Sequence, residues 1–314
     1  MNILVTGGAG FIGSNFLEVL INDEQTEIGQ LCVLDALTYS GDMHNIEDAI
    51  SSAGIEFVHG SICDRDLVNR LSKNADVIIN FAAESHVDRS IESRDEFVST
   101  NIVGTQILLD AAIRNSVSRY IQISTDEVYG SLAEGSATET SLLLPNSPYS
   151  ASKASADLLV RSYVETFGLD AVITRCTNNY GPKQHPEKLI PKIITNLLSG
   201  KQIPIYGNGK NIRDWIHVSD HCRGIVAVLK HGRKGQIYNI SGDNEITNLD
   251  IVTQILEIMG FPFEKIDFVP DRPGHDFRYS LDGRKIMEEL NFECQVNFTD
   301  GLASTIDWYR HRLT

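Results

Sequence analysis

The first half of the chain alternates short apolar runs with longer amphipathic stretches. The apolar runs predict strands at 2–6, 31–35, 57–60, 77–81, 120–124 and 171–175. The amphipathic stretches between them predict helices that begin near Phe11, Asp64, Asn101 and Tyr149. Strands that alternate with helices in this way are typical of an α/β fold, in which helices cover both faces of a parallel sheet.

Beyond Cys176 the alternation is less regular. The pattern predicts a helix at 189–198, short strands at 203–206 and 236–240, a helix at 249–259 and a closing helix near 302–310. No internal repeat, low-complexity segment or inter-domain linker interrupts the chain. The last third is therefore expected to form a second, smaller α/β lobe.

Composition narrows the range of partners. The 314 residues carry a formal net charge of −15, which argues against nucleic acid or an anionic membrane surface as a partner. Met1 is followed at once by a predicted strand, and no apolar run approaches transmembrane length, so we expect neither a signal peptide nor a membrane span. Five scattered cysteines without a CxxC pair indicate reduced thiols in a cytoplasmic protein and no metal site.

A glycine-rich loop joins the first predicted strand to the first predicted helix. Its sequence, GGAGFIG at 7–13, satisfies both GxGxxG and GxxGxxG. Glycines there allow the backbone to approach a pyrophosphate, which the helix N-terminus stabilises. Asp35 ends the second predicted strand, where a carboxylate accepts hydrogen bonds from ribose hydroxyls and repels a 2′-phosphate. The loop predicts a Rossmann-type, doubly wound sheet that binds NAD in preference to NADP.

Tyr149 and Lys153 form a YxxxK pair. Four residues apart on a helix, they share one face, and Pro148 fits the start of that helix. An ammonium near a phenol favours phenolate, so we expect Lys153 to lower the pKa of Tyr149. Tyr149 is then the expected base toward a hydroxyl group in a nicotinamide-dependent oxidation.

Two adjacent acids, Asp126 and Glu127, follow the fifth predicted strand. They offer one group to remove a proton and another to deliver one, which hydride transfer alone does not require. Two close carboxylates do not both ionise easily, so one pKa should rise. Successive strand residues point to opposite faces, so both acids reach one substrate only if the strand ends by Thr125. We therefore expect irregular backbone there, at the carboxyl edge of the sheet.

These motifs resemble the extended short-chain dehydrogenase/reductase family, and within it the nucleotide-sugar 4,6-dehydratases. The similarity runs nearly end to end, through FAAESHVDRS (81–90), TNIVGT (100–105), STDEVYG (124–130), SPYSASK (147–153), NNYGP (178–182), PEKLIP (186–191), IYG (205–207), RDW (213–215) and DRPGHD (271–276). The Thr-Asp-Glu triplet is the most discriminating part, because related epimerases lack the Asp-Glu pair. Ser61, where the family usually has aspartate, and a short 131–147 segment depart from the pattern.

The resemblance implies a mechanism. Tyr149, with Lys153 and Thr125 around the sugar O4, takes the hydroxyl proton while hydride leaves C4 for NAD. Glu127 takes the C5 proton, Asp126 protonates the departing O6 hydroxyl, and hydride returns to C6. dTDP-glucose is the expected substrate and a 4-keto-6-deoxy sugar nucleotide the product. The alternatives are a UDP-sugar 4,6-dehydratase, a nucleotide-sugar 4-epimerase and a non-catalytic NAD-binding protein.

The resemblance also assigns residues to each ligand. The residues expected to bind NAD are Gly7, Gly10, Phe11, Ile12, Gly13, Asp35, Ser61, Ile62, Phe81, Ala82, Ala83, Thr100, Tyr149 and Lys153. The residues expected to bind the nucleotide sugar are Glu84, Ser85, His86, Thr125, Asn178, Asn179, Lys188, Leu189, Pro204, Tyr206, Arg213, Asn248, Arg272 and His275. Arg213 is expected to contact the diphosphate, and Tyr206 and Pro204 to line the pyrimidine site.

Two further expectations concern organisation. Residues 1–175, with roughly 213–243, are expected to form the NAD-binding domain, and 176–212 with 244–314 the nucleotide-sugar-binding lobe. Helices 101–115 and 149–166 carry more apolar residues than one face would bury. Relatives dimerise through two such helices from each subunit, so a homodimer is expected.

Overall fold

The computed structural model describes residues 1–271 and 275–313. Its strands are β1 (Asn2–Thr6), β2 (Gln30–Asp35), β3 (Glu56–His59), β4 (Val77–Asn80), β5 (Arg119–Thr125), β6 (Ala171–Cys176), β7 (Asn178–Tyr180), β8 (Ile203–Tyr206), β9 (Ile212–His217), β10 (Ile237–Ile240), β11 (Glu245–Thr247) and β12 (Ile266–Val269). Its α-helices are α1 (Phe11–Ile21), α2 (Glu47–Ala53), α3 (Arg65–Ser72), α4 (Val87–Glu92), α5 (Arg94–Phe97), α6 (Thr105–Arg114), α7 (Pro148–Phe167), α8 (Leu189–Leu198), α9 (Val218–His231), α10 (Asn248–Met259), α11 (Arg284–Leu290) and α12 (Phe298–Leu313). None of the helices in these ranges is long and apolar enough to cross a membrane.

The central sheet has seven strands in the order β10-β6-β5-β4-β1-β2-β3, and all its pairings are parallel. The chain fills one side of β1 with β2 and β3, and then the other side with β4, β5 and β6. This reversal leaves a crevice at the carboxyl ends of β1 and β4, where folds of this kind bind ligands. The predicted α/β class and doubly wound sheet are confirmed.

Apolar side chains pack on both faces of this sheet. One core joins Phe16 of α1 and Ile225 of α9 to Val33 of the sheet. The other joins Leu108 of α6 and Val160 of α7 to the opposite face. A sheet covered on both faces needs strands that are apolar throughout, which explains the continuous runs in the sequence.

The C-terminal part builds a third core under two small sheets. One has the order β11-β9-β7 and the other pairs β12 with β8. Helices α8, α10 and α12 pack there through Ile194, Ile251 and Leu302, against Trp215 of β9. The strands β7, β9, β11 and β12 were not predicted. β7, β11 and β12 have three or four residues each, too few to show a period of their own. β9 has six, but the charged residues Arg213 and Asp214, both buried, interrupt its apolar pattern.

Helix α9 was also missed. Its first turn buries Asp220 and His221, which interrupt the apolar stripe. Asp220 accepts hydrogen bonds from the backbone N–H groups of Gln295 and Val296, and His221 pairs with Asn179. These partners lie far along the chain, so buried polar residues look exposed in the sequence pattern.

The helix expected to begin near Asn101 begins elsewhere. A π-helical stretch, Val98–Gly104, precedes α6 and continues from α5. Inside it, Asn101 accepts from the N–H of Glu84 and donates to the Glu84 carbonyl and the Ser152 hydroxyl. In this π-helical stretch, the Asn101 amide thus forms hydrogen bonds with two other segments of the chain. π-helical turns of this kind are common at functional sites.

Candidate active site

The loop between β1 and α1 admits only glycine at its close approaches. A Cβ at Gly13 would lie 2.3 Å from the Gly7 carbonyl oxygen, and one at Gly7 would lie 2.5 Å from the backbone nitrogen of Ala82. Gly7 also has φ of 72°, in the left-handed region. Helix α1 begins directly after Gly10, which offers no side-chain cap to its N–H groups. The loop therefore presents an open helix N-terminus suited to a pyrophosphate.

Asp35 connects this loop to the end of β2. Its carboxylate accepts from the N–H of Ala9 at 2.9 Å and of Leu37 at 2.8 Å. Burial raises the pKa of Asp35, and these two hydrogen bonds oppose the rise. The carboxylate is therefore fixed beside the glycine loop, where the sequence places the ribose hydroxyls of a dinucleotide.

One cavity of about 310 Å³ runs along the carboxyl edge of the sheet. It is lined by all the residues expected to bind NAD and by the five expected to be catalytic. Of the residues expected to bind substrate, those that line it besides Thr125 are Glu84, Ser85, Asn178, Asn179 and Lys188. The glycine loop, the acid pair and the YxxxK pair thus line one cavity.

The acids lie on irregular backbone, as expected. Strand β5 ends at Thr125, and Asp126–Tyr129 forms a single 3₁₀ turn. The Thr125 hydroxyl caps this turn by accepting from the N–H of Glu127 at 3.3 Å. Gly130 ends it with φ of 76°, and a Cβ there would lie 2.2 Å from the Leu144 carbonyl oxygen.

Asp126 is a buried acid with a raised pKa. Its side chain is 3% exposed, and among the described residues its Oδ2 has no hydrogen-bond partner. Burial raises the pKa of Asp126 well above its usual range, the Glu127 charge raises it further, and Arg213 opposes both. The expectation that one of the two acids has a raised pKa is confirmed. A neutral carboxyl beside a second acid is suited to donate a proton.

Tyr149 and Lys153 lie on the first turns of α7. Ser147 and Ser150 form a capping box around Pro148, which fixes where the helix begins. The Lys153 ammonium donates to the Ile123 carbonyl at 2.6 Å, anchoring the helix to β5. Both side chains therefore project into the cavity from one rigid helix.

The expected lowering of the Tyr149 pKa is wrong for this geometry. Burial raises the pKa of the Tyr149 phenol well above its usual range, and Glu127 raises it further, while a hydrogen bond with Thr125 opposes the rise. Burial also lowers the pKa of Lys153. The sequence pattern shows the lysine charge but not the desolvation or the carboxyl group that faces the phenol.

Some residues expected to bind substrate lie outside the cavity lining. Among the described residues these are His86, Leu189, Pro204, Tyr206, Arg213, Asn248 and His275. Arg272 lies outside the described residues. His86 caps α4, and its ring lies 3.8 Å from Glu187, which does line the cavity. The rings of Tyr206 and His275 contact each other with centroids 6.2 Å apart.

Arg213 is buried, and its guanidinium forms hydrogen bonds with backbone carbonyl groups. Its guanidinium donates to the carbonyls of Ile212, Asp276 and Phe277, and it stacks on the ring of Tyr279. This arrangement joins β9 to the segment 276–279. The guanidinium still acts on the site, because its charge lowers the pKa of Asp126.

Sequence reasoning missed several residues that line the cavity. Tyr39 follows β2, and the Arg89 guanidinium lies 3.8 Å from its ring centroid. Glu187 lies 3.5 Å from the Nε of Arg89. Cys176 ends β6 and Thr177 follows it, so the rule that ligands bind at strand carboxyl ends could have found both. Glu187 lies in the PEKLIP segment (186–191) without having been assigned to a ligand, and Tyr39 lies in a loop without a motif.

Ser61, where the resemblance expects aspartate, also lines the cavity. Its hydroxyl accepts from the N–H of Cys63 at 3.1 Å, so it fixes the turn after β3. Among the described residues, no group of three His, Cys, Asp or Glu side chains could hold a metal ion.

Comparisons with known proteins agree with this geometry. A profile of the GDP-mannose 4,6 dehydratase family matches residues 4–305. The sequence is 53% identical to a dTDP-glucose 4,6-dehydratase of Streptomyces niveus, covering 99% of this chain and 93% of that protein. It is 52% identical to the enzyme of the same name from an Actinoplanes species, covering 99% and 98%. The fold matches the crystal structure of DesIV, a dTDP-glucose 4,6-dehydratase from Streptomyces venezuelae with NAD bound, with a TM-score of 0.98, 52% identity and coverage of 99% and 97%.

Proposed function

The chain belongs to the GDP-mannose 4,6 dehydratase family, and from that premise we propose that it converts dTDP-glucose to dTDP-4-keto-6-deoxyglucose in an NAD-dependent dehydration. One observation carries the proposal. Asp126 and Glu127 lie on an irregular turn at the carboxyl edge of the sheet, in the same cavity as Tyr149 and Lys153. Epimerisation at C4 needs no second acid, so the pair favours dehydration.

NAD fits the residues at the glycine loop. The close approaches at Gly7 and Gly13 exclude a side chain, and both glycines line the cavity beside the N-terminus of α1, where a pyrophosphate is suited. Asp35 is placed to accept from the ribose hydroxyls. When bound, NAD would supply the hydride acceptor at C4 and the hydride donor at C6, so the reaction would have no net redox change. The cofactor-binding residues named above are proposed to hold it.

The first chemical task of this chain is to remove the C4 hydroxyl proton. Tyr149 accepts that proton, and Thr125 holds the same oxygen by a hydrogen bond. Burial raises the pKa of the Tyr149 phenol, so the proton transfer needs a nearby positive charge. Lys153, one helical turn away on the same face, is the cation proposed to act there, against the effects of burial and Glu127.

The second task is to remove water across C5 and C6. A ketone at C4 acidifies the C5 hydrogen, and Glu127 accepts it as a proton. Asp126, whose raised pKa favours the neutral carboxyl, donates its proton to O6, which departs as water. The double bond left between C5 and C6 then accepts hydride at C6 and a proton at C5. Water and the 4-keto-6-deoxy sugar nucleotide are the products.

The nucleotide part of the substrate is proposed to extend from the cavity toward the C-terminal part of the chain. Glu84, Ser85, Asn178, Asn179 and Lys188 line the cavity on that side. Beyond it, the cation Arg213 suits a diphosphate and the aromatic ring of Tyr206 suits a pyrimidine base. The residues proposed to bind there are His86, Leu189, Pro204, Tyr206, Arg213, Asn248 and His275, with Arg272 outside the described residues.

The organisation proposed from the sequence has support in the contacts. Residues 1–175 with roughly 213–243 would form the NAD-binding domain, since β10 extends the central sheet and α9 packs on α1. Residues 176–212 and 244–314 would form the nucleotide-sugar-binding lobe.

A homodimer is proposed through the Val98–Gly104 stretch, α6 and α7, because apolar side chains are exposed on them. These are Val98, Val103, Ile113, Leu158 and Phe167. A cytoplasmic location is proposed because all five cysteines are free thiols.

A direct assay separates the candidate functions. The protein is incubated with NAD and either dTDP-glucose or UDP-glucose, and the 4-keto product is followed by its absorbance in alkali. Product from dTDP-glucose supports the proposal, whereas product from UDP-glucose alone would indicate a UDP-sugar dehydratase. A galactose epimer without 4-keto product would indicate an epimerase, and no product from either sugar would leave only NAD binding. The matched control is Asp126→Asn protein, which should form little 4-keto-6-deoxy product from the same sugar.

A further inference from the structure

A chain of four buried side chains lies directly behind the acid-bearing turn. Asp157 of α7 accepts from the Nε of Arg175 at 2.9 Å, and Arg175 Nη1 donates to the Tyr129 hydroxyl at 2.8 Å. The Tyr129 hydroxyl in turn donates to Asn239 Oδ1 at 2.9 Å. All four side chains are 3% exposed or less. A buried network in which the partners are connected in this way restricts each of them to one position.

Each member belongs to a different element around the catalytic groups. Tyr129 closes the 3₁₀ turn that carries Asp126 and Glu127. Asp157 lies one helical turn beyond Lys153 on α7, so Tyr149, Lys153 and Asp157 share one helical face. Arg175 pairs with Ser124 in the register of β6 with β5. The network therefore joins the helix that bears the base to the turn that bears the acids.

In a 3₁₀ turn, the position of the Tyr129 side chain is coupled to that of Asp126. With three residues per turn, side chains at i and i+3 lie above one another. Asp126 and Tyr129 are such a pair, and both are 3% exposed. Rotation of the turn about its axis would therefore move both side chains together. The hydroxyl of Tyr129, fixed by two hydrogen bonds, opposes that rotation.

The Tyr129 ring adds a second restraint. The guanidinium carbon of Arg175 lies 4.8 Å from the ring centroid, so one arginine both stacks on the ring and donates to the hydroxyl. On the far side, Asn239 Nδ2 donates to the Ala137 carbonyl at 2.9 Å. Asn239 is thereby fixed in the orientation that offers its oxygen to Tyr129.

We infer that Tyr129, held between Arg175 and Asn239, is a positioning residue that sets the rotation of the Asp126–Tyr129 turn for the elimination step. The inference rests on the proposed dehydration. Tyr129 touches no reacting atom; it acts through Asp126, which must reach O6 of the sugar. Oxidation at C4 depends on Tyr149 and Lys153, which lie on α7 and not on the turn. Loss of the Tyr129 hydroxyl should therefore slow elimination more than oxidation.

The test compares Tyr129→Phe with Tyr120→Phe. Both changes delete a buried hydroxyl and keep the ring, since Tyr120 is fully buried on β5 and its hydroxyl donates to Gln122. Each protein is mixed with dTDP-glucose, NADH is followed at its absorbance band, and the 4-keto-6-deoxy product is followed separately. For Tyr129→Phe we expect dehydration to fall about 10- to 100-fold, KM to stay within about threefold, and NADH to accumulate. Tyr120→Phe should show none of this split at a similar melting temperature.

Asn239→Leu removes the hydrogen-bond acceptor from the other side and should reproduce the split with Tyr129 intact. If Tyr129→Phe dehydrates as fast as Tyr120→Phe, or if oxidation and elimination slow equally, the inference is wrong while the proposed function stands. If the unchanged protein forms no 4-keto product from dTDP-glucose or UDP-glucose, the proposed function fails first and the inference fails with it.

Discussion

The carboxyl edge of the central sheet and the C-terminal part of the chain differ in how far their residues converge. At the sheet edge, every residue expected to bind NAD or to do chemistry lines one cavity. Of the expected residues beyond Cys176 that the structure describes, only Asn178, Asn179 and Lys188 do so. The first set lies in compact motifs held by adjacent parallel strands. The second comes one residue at a time from separate loops, helices and short strands.

The two regions also differ in what burial does to charge. At the sheet edge, burial leaves Asp126 with a raised pKa and no described partner for one of its oxygens. In the C-terminal part, Arg213 is equally buried, but it donates to three backbone carbonyls. A buried polar group without a partner is costly and often functional, whereas a satisfied one also supports the fold. The comparison therefore shows that Arg213 stabilises the fold through these hydrogen bonds, in addition to any contact with substrate.

The largest expected effect is at the sheet edge. Asp126→Asn removes the proton donor to O6 but leaves Tyr149 and Lys153, so dehydration should fall about 10²- to 10⁴-fold while NADH still forms. Product formation and NADH absorbance, measured together, check this. The control is Asp110→Asn on α6, an acid bonded to Tyr163 and Arg65 away from the cavity. Dehydration at the normal rate by Asp126→Asn would show that its acid role is wrong.

Arg213→Ala tests the C-terminal side of the comparison. If the guanidinium also contacts the diphosphate, KM for dTDP-glucose should rise about 10- to 100-fold, the value of a charged hydrogen bond. The melting temperature should fall as well, because three carbonyls lose their donor. Arg119→Ala, which breaks a pair with Asp170 and a bond to the Leu229 carbonyl, should lower the melting temperature alone. A lower melting temperature with unchanged KM would leave Arg213 only the structural task.

Tyr206→Ala should have a smaller effect on binding. Its ring is 37% exposed beside His275, so stacking on a pyrimidine adds an interaction worth about 0.5–1.5 kcal/mol. KM for dTDP-glucose should rise about two- to tenfold at constant kcat. Phe268→Ala, an exposed aromatic on the paired strand β12, is the control and should leave KM unchanged. Equal effects of the two changes would remove Tyr206 from the base site.

The smallest expected effect concerns the stability of the fold. In the unfolded chain Asp126 ionises near the ordinary value of about 3.9. Above that pH, folding must either protonate Asp126 again or bury its negative charge, and both cost free energy. The contribution of Asp126 to the free energy of unfolding is therefore fully present below about pH 3.9 and is lost as the pH rises through its raised pKa in the folded protein. Asp126→Asn should therefore melt a few degrees higher than the unchanged protein at pH 8, with the gap closing toward pH 4.

For Asp282 we expect stability to change with pH in the opposite direction. Hydrogen bonds from Arg284 lower its pKa, so the stability it contributes is present above the ordinary value and lost in acid. Asp282→Asn should lower the melting temperature at pH 8. Thermal melts of both variants across this pH range decide the matter, and a gap for Asp126→Asn that does not change with pH would contradict the raised pKa.

Much of the sheet and its site could be predicted because the signals were local. Continuous apolar runs marked β1, β4 and β5, and the spacing of glycines marked the loop before α1. The end of β5 at Thr125 followed from the requirement that Asp126 and Glu127 reach one substrate. The position of α9 did not follow, because Asp220 and His221 hide its apolar stripe until their distant partners are known.

By itself, the sequence predicted the parallel sheet, the dinucleotide loop, the residues proposed to be catalytic and the reaction they favour. The loop, the acid pair and the Tyr149–Lys153 pair are each formed by side chains within a few positions of one another, where backbone geometry alone sets their distance. Only the tertiary structure decided that the Asp126 pKa rises, that the Tyr149 pKa rises instead of falling, and that Arg213 donates to backbone carbonyls. These depend on desolvation and on charges from remote segments, which come together only when the chain has folded.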